Sequence, residues 1–348
     1  MSHPRLIERS LRAMSLHEKL SVIIPSYKRS LDLKRCLAAL ALQSRPADEV
    51  VVIAREEDTE TSMLVSSADF NLKNLRLLYV SQPGLIAAMN HGLDNVEANL
   101  LVFTDDDTEA QADWLERIDK TFDDPRIGAV GGRDWLQLPL EPSLYRPAEV
   151  ARVGVLSWYG KPYGNHHCPV RGHRREVMFL KGVNMAIRQK ALGSGRIDSR
   201  LRGKGSQVGT ELDLCMQIRR SGFLILFDDR ILVKHYSSPR PKEDDRGDVI
   251  GCVTQDICFN THYLIAKHFG LLRSLPYLGN NLLFGGRSRP GVLAAVKWRI
   301  KGDRSAFQRL LGTVRMASSG FLAGRKVRTL ALEREAQAQS EPEAPKYA

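Results

Sequence analysis

Three adjacent carboxylates, Asp105-Asp106-Asp107, stand directly after the apolar run Leu100-Leu-Val-Phe103. Like charges that close repel one another unless something positive sits among them. A hard divalent cation is the economical answer. Oxygen ligands suit Mn2+ or Mg2+, which commonly keep substrate phosphates in their shell. Side chains alternate along an extended segment, so Asp105 and Asp107 are expected on one side. The competing explanation is a solvated acidic turn that caps a helix over residues 113–121. A position at the carboxyl end of an apolar strand favours the site.

Three further groups have side chains suited to chemistry. Gly209-Thr-Glu211-Leu-Asp213-Leu214 opens a helical pattern. A helix dipole favours carboxylates in the first turn, so capping alone would also explain Glu211 or Asp213. His235 lies in Val233-Lys-His-Tyr236 at the end of a strand pattern, where a lone His is more often structural than a ligand. Lys181-Gly182-Val-Asn184-Met-Ala-Ile-Arg188 sets a Gly–Asn element before an apolar run.

The elements that must position these groups follow from periodicity. Short apolar runs at 21–25 and 50–53, rich in β-branched residues, predict buried strands, and runs at 75–80 and 100–103 predict two more. Helical patterns at 31–43 and 85–96 lie between them. Strands alternating with helices imply a doubly wound, mostly parallel α/β sheet with helices on both faces. Such a sheet binds ligands beyond the carboxyl ends of its strands, just after Ile24, Ile53, Val80 and Phe103. Residues 131–175 carry five prolines and read as an irregular functional loop or lid. Its aromatics Trp135, Trp158, Tyr159 and Tyr163 suit sugar C–H faces, with core packing an equal alternative. A helix over 210–221 and strands at 223–227 and 231–233 follow. Beyond residue 247 the pattern is helical and basic, with Phe307, Leu310, Leu311 and Val314 on one helical face.

Composition narrows the class. The 348 residues are 43% hydrophobic and 26% charged, ordinary globular values that exclude disorder for most of the chain. Five scattered cysteines provide neither a disulfide framework nor a Cys-x-x-Cys zinc site, and fit a reducing compartment. The charged N-terminus has no apolar core of a secretory signal. No stretch reaches the roughly 18 apolar residues that a membrane span requires. The formal charge is +11, and residues 251–348 hold 15 Lys/Arg against 6 Asp/Glu, leaving about +2 for the rest. A basic C-terminal region suggests an anionic lipid surface or a polyanion as partner.

Taken in order, Ser21-Val-Ile-Ile-Pro-Ser-Tyr-Lys-Arg29, the Asp105–Asp107 triplet, Gly182-Val-Asn-Met-Ala-Ile-Arg188, Gly209-Thr-Glu-Leu-Asp-Leu214 and His235 resemble glycosyltransferase family 2. The resemblance covers residues 19–235. It implies a GT-A fold, a nucleotide-diphosphate-sugar donor, Mn2+ or Mg2+, and inversion at the anomeric carbon. By position it puts Pro25, Tyr27, Asp105, Asp106, Gly182 and Asn184 on the donor side, with Pro25 and Tyr27 at the nucleobase. Asp107 would hold the metal with His235. Glu211 aligns with the general base, and Asp213 is the next carboxylate on that helix. Two positions depart from the family. Ala54 occupies the place of a base-binding Asp, with Glu57 and Asp58 close by, and Met89 occupies the place of an Arg.

The resulting expectation is a polar leader over 1–18, a GT-A domain over 19–246, a basic helical region over 247–333 and a flexible tail over 334–348. The expected activity is transfer of a sugar to a hydroxyl acceptor, a glycan or lipid-linked, in cell-surface polysaccharide or glycolipid synthesis. The expected location is cytoplasmic, peripheral on the inner face of the membrane, with no nucleic-acid partner and with oligomers allowed. Two alternatives compete. A nucleotidyltransferase needs a Gly-rich phosphate loop after its first strand, which Pro25-Ser-Tyr27 does not match. A non-catalytic basic binder on a degenerate scaffold has no use for the intact Asp105–Asp107 triplet and Glu211.

Overall fold

A computed structural model describes residues 18–67, 70–137, 147–203, 205, 207–236, 252–286 and 289–340. The expected leader lies outside these residues but for Glu18. So do Pro139, Pro142 and the last eight residues.

β1 (Leu20–Pro25), β2 (Glu49–Arg55), β3 (Leu75–Val80) and β4 (Leu100–Thr104) lie in the order β3-β2-β1-β4, all parallel. Helices α1 (Ser30–Ala41), α2 (Thr59–Ser67) and α3 (Leu85–Asn95) connect them. β1, β2 and β4 are buried on both faces, which is why their apolar runs are continuous, while the edge strand β3 exposes Arg76 and Tyr79. Leu20, Val22, Ile24, Val50, Val52, Leu100 and Val102 face one core, with Leu33 and Leu37 of α1. Ile23, Val51, Ile53, Leu101 and Phe103 face the other, with Ile86 and Leu93 of α3. The direction of winding reverses between β1 and β4, so a crevice opens beyond their carboxyl ends.

The second half of the sheet is mixed. A short β5 (Thr108–Ala110) and α4 (Trp114–Thr121) precede β6 (Ile127–Gln137). The expected irregular segment starts instead with the rest of this long strand. It continues with a hairpin of β7 (Val155–Leu156) and β8 (Pro162–Tyr163), then β9 (Arg174–Glu176). β10 (Asn184–Arg188) runs antiparallel between β4 and β6, followed by α5 (Gln189–Leu192) and α6 (Thr210–Arg220). The two strands expected around 223–233 are one, β11 (Leu224–Tyr236), whose register shifts between Asp228 and Leu232.

α7 (Cys252–His268), α8 (Leu271–Leu283), α9 (Val292–Ile300) and α10 (Ala306–Ser340) form the C-terminal part. α10 runs to Ser340, past the expected boundary at 334. α7 belongs to the core beneath α6, with Phe259, Tyr263 and Leu264 buried there. α10 lies backbone-close to α7. A Cβ on Gly320 or Gly324 would stand 2.4 Å from the Phe259 carbonyl or 2.2 Å from that of Tyr263. Among the described residues no helix is long and apolar enough to cross a membrane.

Candidate active site

The acidic triplet forms a tight turn between β4 and β5 rather than an extended segment. The turn still separates the three side chains. Ligand atoms of Asp105, Asp107 and His235 lie within 4.8 Å of one another. β11 delivers His235 because it pairs antiparallel with β5, opposite Thr108, and the Tyr236 N–H donates to the Asp107 carbonyl at 2.9 Å. Two carboxylates and an imidazole are a donor set suited to a divalent metal ion.

Asp106 points the other way. It is fully buried, accepts the Ser26 hydroxyl at 2.8 Å and pairs with the Arg29 guanidinium. Burial raises its pKa to about 7 although Arg29 and Ser26 pull it down. Its expected donor contact is therefore corrected: Asp106 anchors β1 to β4 from inside. Arg29 also reaches Asp107 at 2.8 Å. The positive charge required among the carboxylates is thus supplied in part by the protein. The sequence reading assigned Arg29 no role, although it follows the strand end where ligand-side residues were sought.

His235 is oriented from behind. Its Nδ1 meets Asp134 at 2.9 Å, which leaves Nε2 facing Asp107 at 3.3 Å. Burial pushes the His235 pKa down, but bonds to Asp107 and Asp134 prevail and raise it to about 9. Asp134 is itself buried and ion-paired with Lys181. Burial opposes its ionisation, yet His235 and Lys181 hold its pKa at about 2. A carboxylate behind a histidine fixes the ring and its tautomer for a metal. Sequence reasoning missed Asp134 and gave Lys181 no role; neither carries a local signal for this pairing.

Glu211 sits in the first turn of α6. The Gly182 N–H donates to its Oε1 at 3.1 Å and the Thr210 hydroxyl to its Oε2 at 2.9 Å. A Cβ at Gly182 would stand 3.0 Å from that Oε1, so a side chain there would press on the carboxylate. Gly182 therefore acts through Glu211. Asn184 opposes Thr104 across the β10–β4 pair, so the preceding residues bring Glu211 to the sheet end that carries Asp105.

Asn184 points into the interior. It is buried, accepts the Trp114 indole N–H at 2.9 Å and donates to the Ile231 and Arg133 carbonyls at 2.9 and 3.2 Å. The expected cofactor contact is corrected to an internal strut between sheet and helix.

Asp213 is likewise buried. Its Oδ1 accepts His268 Nε2 and Lys267 Nζ, each at 2.6 Å, and its Oδ2 accepts the Asp198 N–H at 2.9 Å and Gln217 Nε2 at 3.3 Å. Burial opposes its charge, but His268 and Lys267 hold its pKa below the ordinary value. Four donors saturate Asp213, which suits a support of the helix rather than a second catalytic carboxylate. It ties α6 to α7.

Pro25 and Tyr27 are half-buried at the end of β1. Asp58 is buried, receives the Lys28 N–H at 2.6 Å and caps α2 through Thr61, so it does not stand in for the missing base-binding carboxylate. Glu57 pairs with Arg55 at 2.8 Å. Met89 is buried in the core.

The model of glycosyltransferase-like family 2 matches residues 17–246, two-thirds of the sequence. The chain belongs to this family. The glycosyltransferase GlyA of Streptococcus pneumoniae is 32% identical over 109 residues, which cover 31% of this chain and 15% of that protein. The glycosyltransferase AglE of Haloferax volcanii is 31% identical over 115 residues, covering 32% and 38%. The chain thus spans well under half the length of either relative. The fold is similar to that of GalNAc-T7, solved with UDP, GalNAc and Mn2+, with a TM-score of 0.56 at 14% identity over 95% of this chain and 59% of that one. The GT-A architecture is therefore as the motifs implied, and the C-terminal helices are as the periodicity predicted. The family match ends at residue 246 and excludes the C-terminal helices.

Proposed function

We propose that the protein is an inverting, metal-dependent glycosyltransferase that moves a sugar from a nucleotide-diphosphate-sugar donor to a hydroxyl acceptor. The acceptor is read as a growing surface glycan or a lipid-linked one. The observation that carries the reading is the convergence of Asp105, Asp107 and His235 at the carboxyl end of β4, with Glu211 held apart from them at the same sheet end. Family membership supports the transferase chemistry, and the same fold in GalNAc-T7 accommodates UDP with Mn2+.

In this reading Asp105, Asp107 and His235 hold Mn2+ or Mg2+, with Asp134 fixing the His235 ring. The ion, when bound, supplies Lewis-acid neutralisation of charge on the diphosphate leaving group. Arg29 and Lys181 hold Asp107 and Asp134 in place through ion pairs. Pro25 and Tyr27 line the nucleobase side. Glu211 takes the proton of the acceptor hydroxyl as the sugar carbon is attacked opposite the leaving group, and a single displacement inverts the configuration. Its two hydrogen bonds, from Gly182 and Thr210, fix its direction. The basic C-terminal helices bring the enzyme to an anionic membrane surface.

The test is a thermal-shift panel of nucleoside diphosphates with and without Mn2+, on the full chain and on Asp107→Ala. A ligand that binds only the folded state raises the melting temperature by mass action. The expected result is a Mn2+-dependent shift that the variant loses. A nucleotide shift equal in both proteins would remove the metal assignment.

A further inference from the structure

The C-terminal helices expose large apolar side chains that nothing covers among the described residues. Leu272 is 89% exposed, Ile300 81%, Leu311 70% and Leu322 66%. The charge around them has one sign. Residues 271–328 contain twelve Lys or Arg and one acidic residue, Asp303, so this stretch alone equals the +11 of the whole chain. Asp303 is engaged in capping, accepting the Ser305 N–H at 2.9 Å and its hydroxyl at 2.7 Å. An apolar face in a basic field fits a surface that offers hydrocarbon and phosphate together.

A cavity of about 330 Å³ opens where the start of α7, the segment at Arg289 and the start of α10 meet. Arg289, Arg309, Thr254, Gln255, Ser305 and Gln308 line it, and among the described residues no carboxylate does. Nη1 of Arg289 is buried and has no hydrogen-bond partner among the described residues. A guanidinium nitrogen in that state is destabilising until an acceptor reaches it, and phosphate oxygens suit its geometry. Gln308 and Gly312 face the cavity, while Phe307, Leu311 and Val314 form the exposed apolar stripe beside it on the same helix.

We propose that this cavity binds the phosphate of a phospholipid headgroup and so seats the C-terminal helices on an anionic membrane surface. The proposal deepens the surface association given under the proposed function and rests on it. The phosphate lies between Arg289 and Arg309, and the acyl chains leave along the Phe307–Leu311–Val314 stripe. A soluble phosphate has the same headgroup chemistry, and its lack of chains is what the experiment exploits.

The test is flotation of the full chain with phosphatidylcholine vesicles and with vesicles that also contain phosphatidylglycerol, alongside thermal shifts with inorganic phosphate. The decisive variant is Gly312→Leu. A Cβ there meets only Gln255 Nε2 at 3.8 Å, so the new side chain enters the cavity without a backbone clash, and no charge changes. Binding to the phosphatidylglycerol vesicles is expected, with a loss of about tenfold or more in Gly312→Leu, the effect of losing charge-assisted hydrogen bonds. Arg289→Gln/Arg309→Gln should lose as much. Lys301→Gln/Arg304→Gln, which removes two exposed charges and leaves the cavity open, should lose less. Should Gly312→Leu bind undiminished while Lys301→Gln/Arg304→Gln fails, adhesion is diffuse and the headgroup site is overturned, with surface association intact. Should the full chain ignore the anionic vesicles at low salt, surface association falls and the site with it. A phosphate-induced stabilisation lost in Gly312→Leu, without vesicle binding, would make this a soluble-anion site and overturn the lipid assignment. Melting temperatures of the unliganded variants confirm that each is folded.

Discussion

Glu211 and Asp213 stand two residues apart in one helical turn, both carboxylates, both in the half of a helix that its dipole makes receptive to negative charge. They end in opposite environments. Glu211 lies at the mouth of the sheet, held by one backbone N–H and one hydroxyl. Asp213 is fully buried and held by four donors, two of them cationic or able to become so. A step of two residues turns a helix by roughly 200°, so neighbours of this spacing face opposite ways. Residue type and proximity to a motif therefore say little about role; the saturation of the carboxylate by partners says much more. The acidic triplet repeats the lesson, with Asp105 and Asp107 converging on His235 while Asp106 is enclosed by Ser26 and Arg29.

The contrast can be broken most directly at Glu211. Glu211→Gln retains shape and hydrogen-bond capacity but removes the base, so turnover should fall by about 10²–10⁴-fold. Donor affinity and melting temperature should barely move, because the loss is confined to the transition state. Turnover within a few-fold of the parent would return Glu211 to a capping role.

Asp213→Asn should show the reverse pattern. It leaves Lys267 and His268 facing a neutral group in the interior, and urea unfolding should show a loss of about 3 kcal/mol. Enzyme that remains folded should keep its turnover within an order of magnitude. A collapse of turnover without loss of stability would place Asp213 back among the catalytic groups.

Asp134→Asn sharpens the comparison at the metal side. It weakens the hold on His235 without touching the proposed ligands, and Mn2+ affinity measured by calorimetry should drop by about 10–100-fold. Unchanged affinity would mean that His235 is not held for a metal.

The smallest effect is one of pH. His166 and His262 are buried, and burial lowers both pKa values to about 4. The unfolded chain binds protons at these groups near pH 6.5 while the folded chain does not, so stability falls as pH falls through that value. Between about pH 7.5 and 5.5 each should cost about 1 kcal/mol of unfolding free energy, read as the difference between the parent's and the His166→Gln/His262→Gln variant's urea curves. The difference is needed because the raised pKa values of His235 and Asp106 stabilise the parent in the opposite direction over the same range. Asp213 should contribute no change there, since its pKa lies below the ordinary carboxylate value in the folded chain and both states are ionised. An equal loss in His166→Gln/His262→Gln would assign the dependence to other groups.

Much of the fold was legible in the sequence. A strand buried on both faces needs an unbroken apolar run, as at Leu100–Phe103, and the edge strand Leu75–Val80 was legible too although Arg76 interrupts it and lies exposed. α2 went unanticipated because its pattern is weak, with Thr61 its one buried residue. The long β6 was not anticipated, and β11 was read as two shorter strands. Charged and polar residues such as Asp134 and Asp228 interrupt their apolar runs, while the backbone pairing between the two strands continues past them. In the site, the triplet, Glu211 and His235 were legible as candidates from their places at strand ends and a helix start.

By itself, the sequence determined the strand cores, the side of the sheet where chemistry would gather, and the concentration of positive charge in the C-terminal helices. These are local properties, set by side-chain period, by strand ends and by composition. The tertiary structure decided which carboxylates are open and which are enclosed. Ser26 meets Asp106 across 80 residues, and His235 meets Asp134 across 101. Lys267 reaches back 54 residues to Asp213. Partners so distant in the chain are chosen by how helices and strands pack, and no local periodicity records that choice. A carboxylate's role depends on the charge and burial those partners supply, so it appeared only once the sheet and helices were assembled around it.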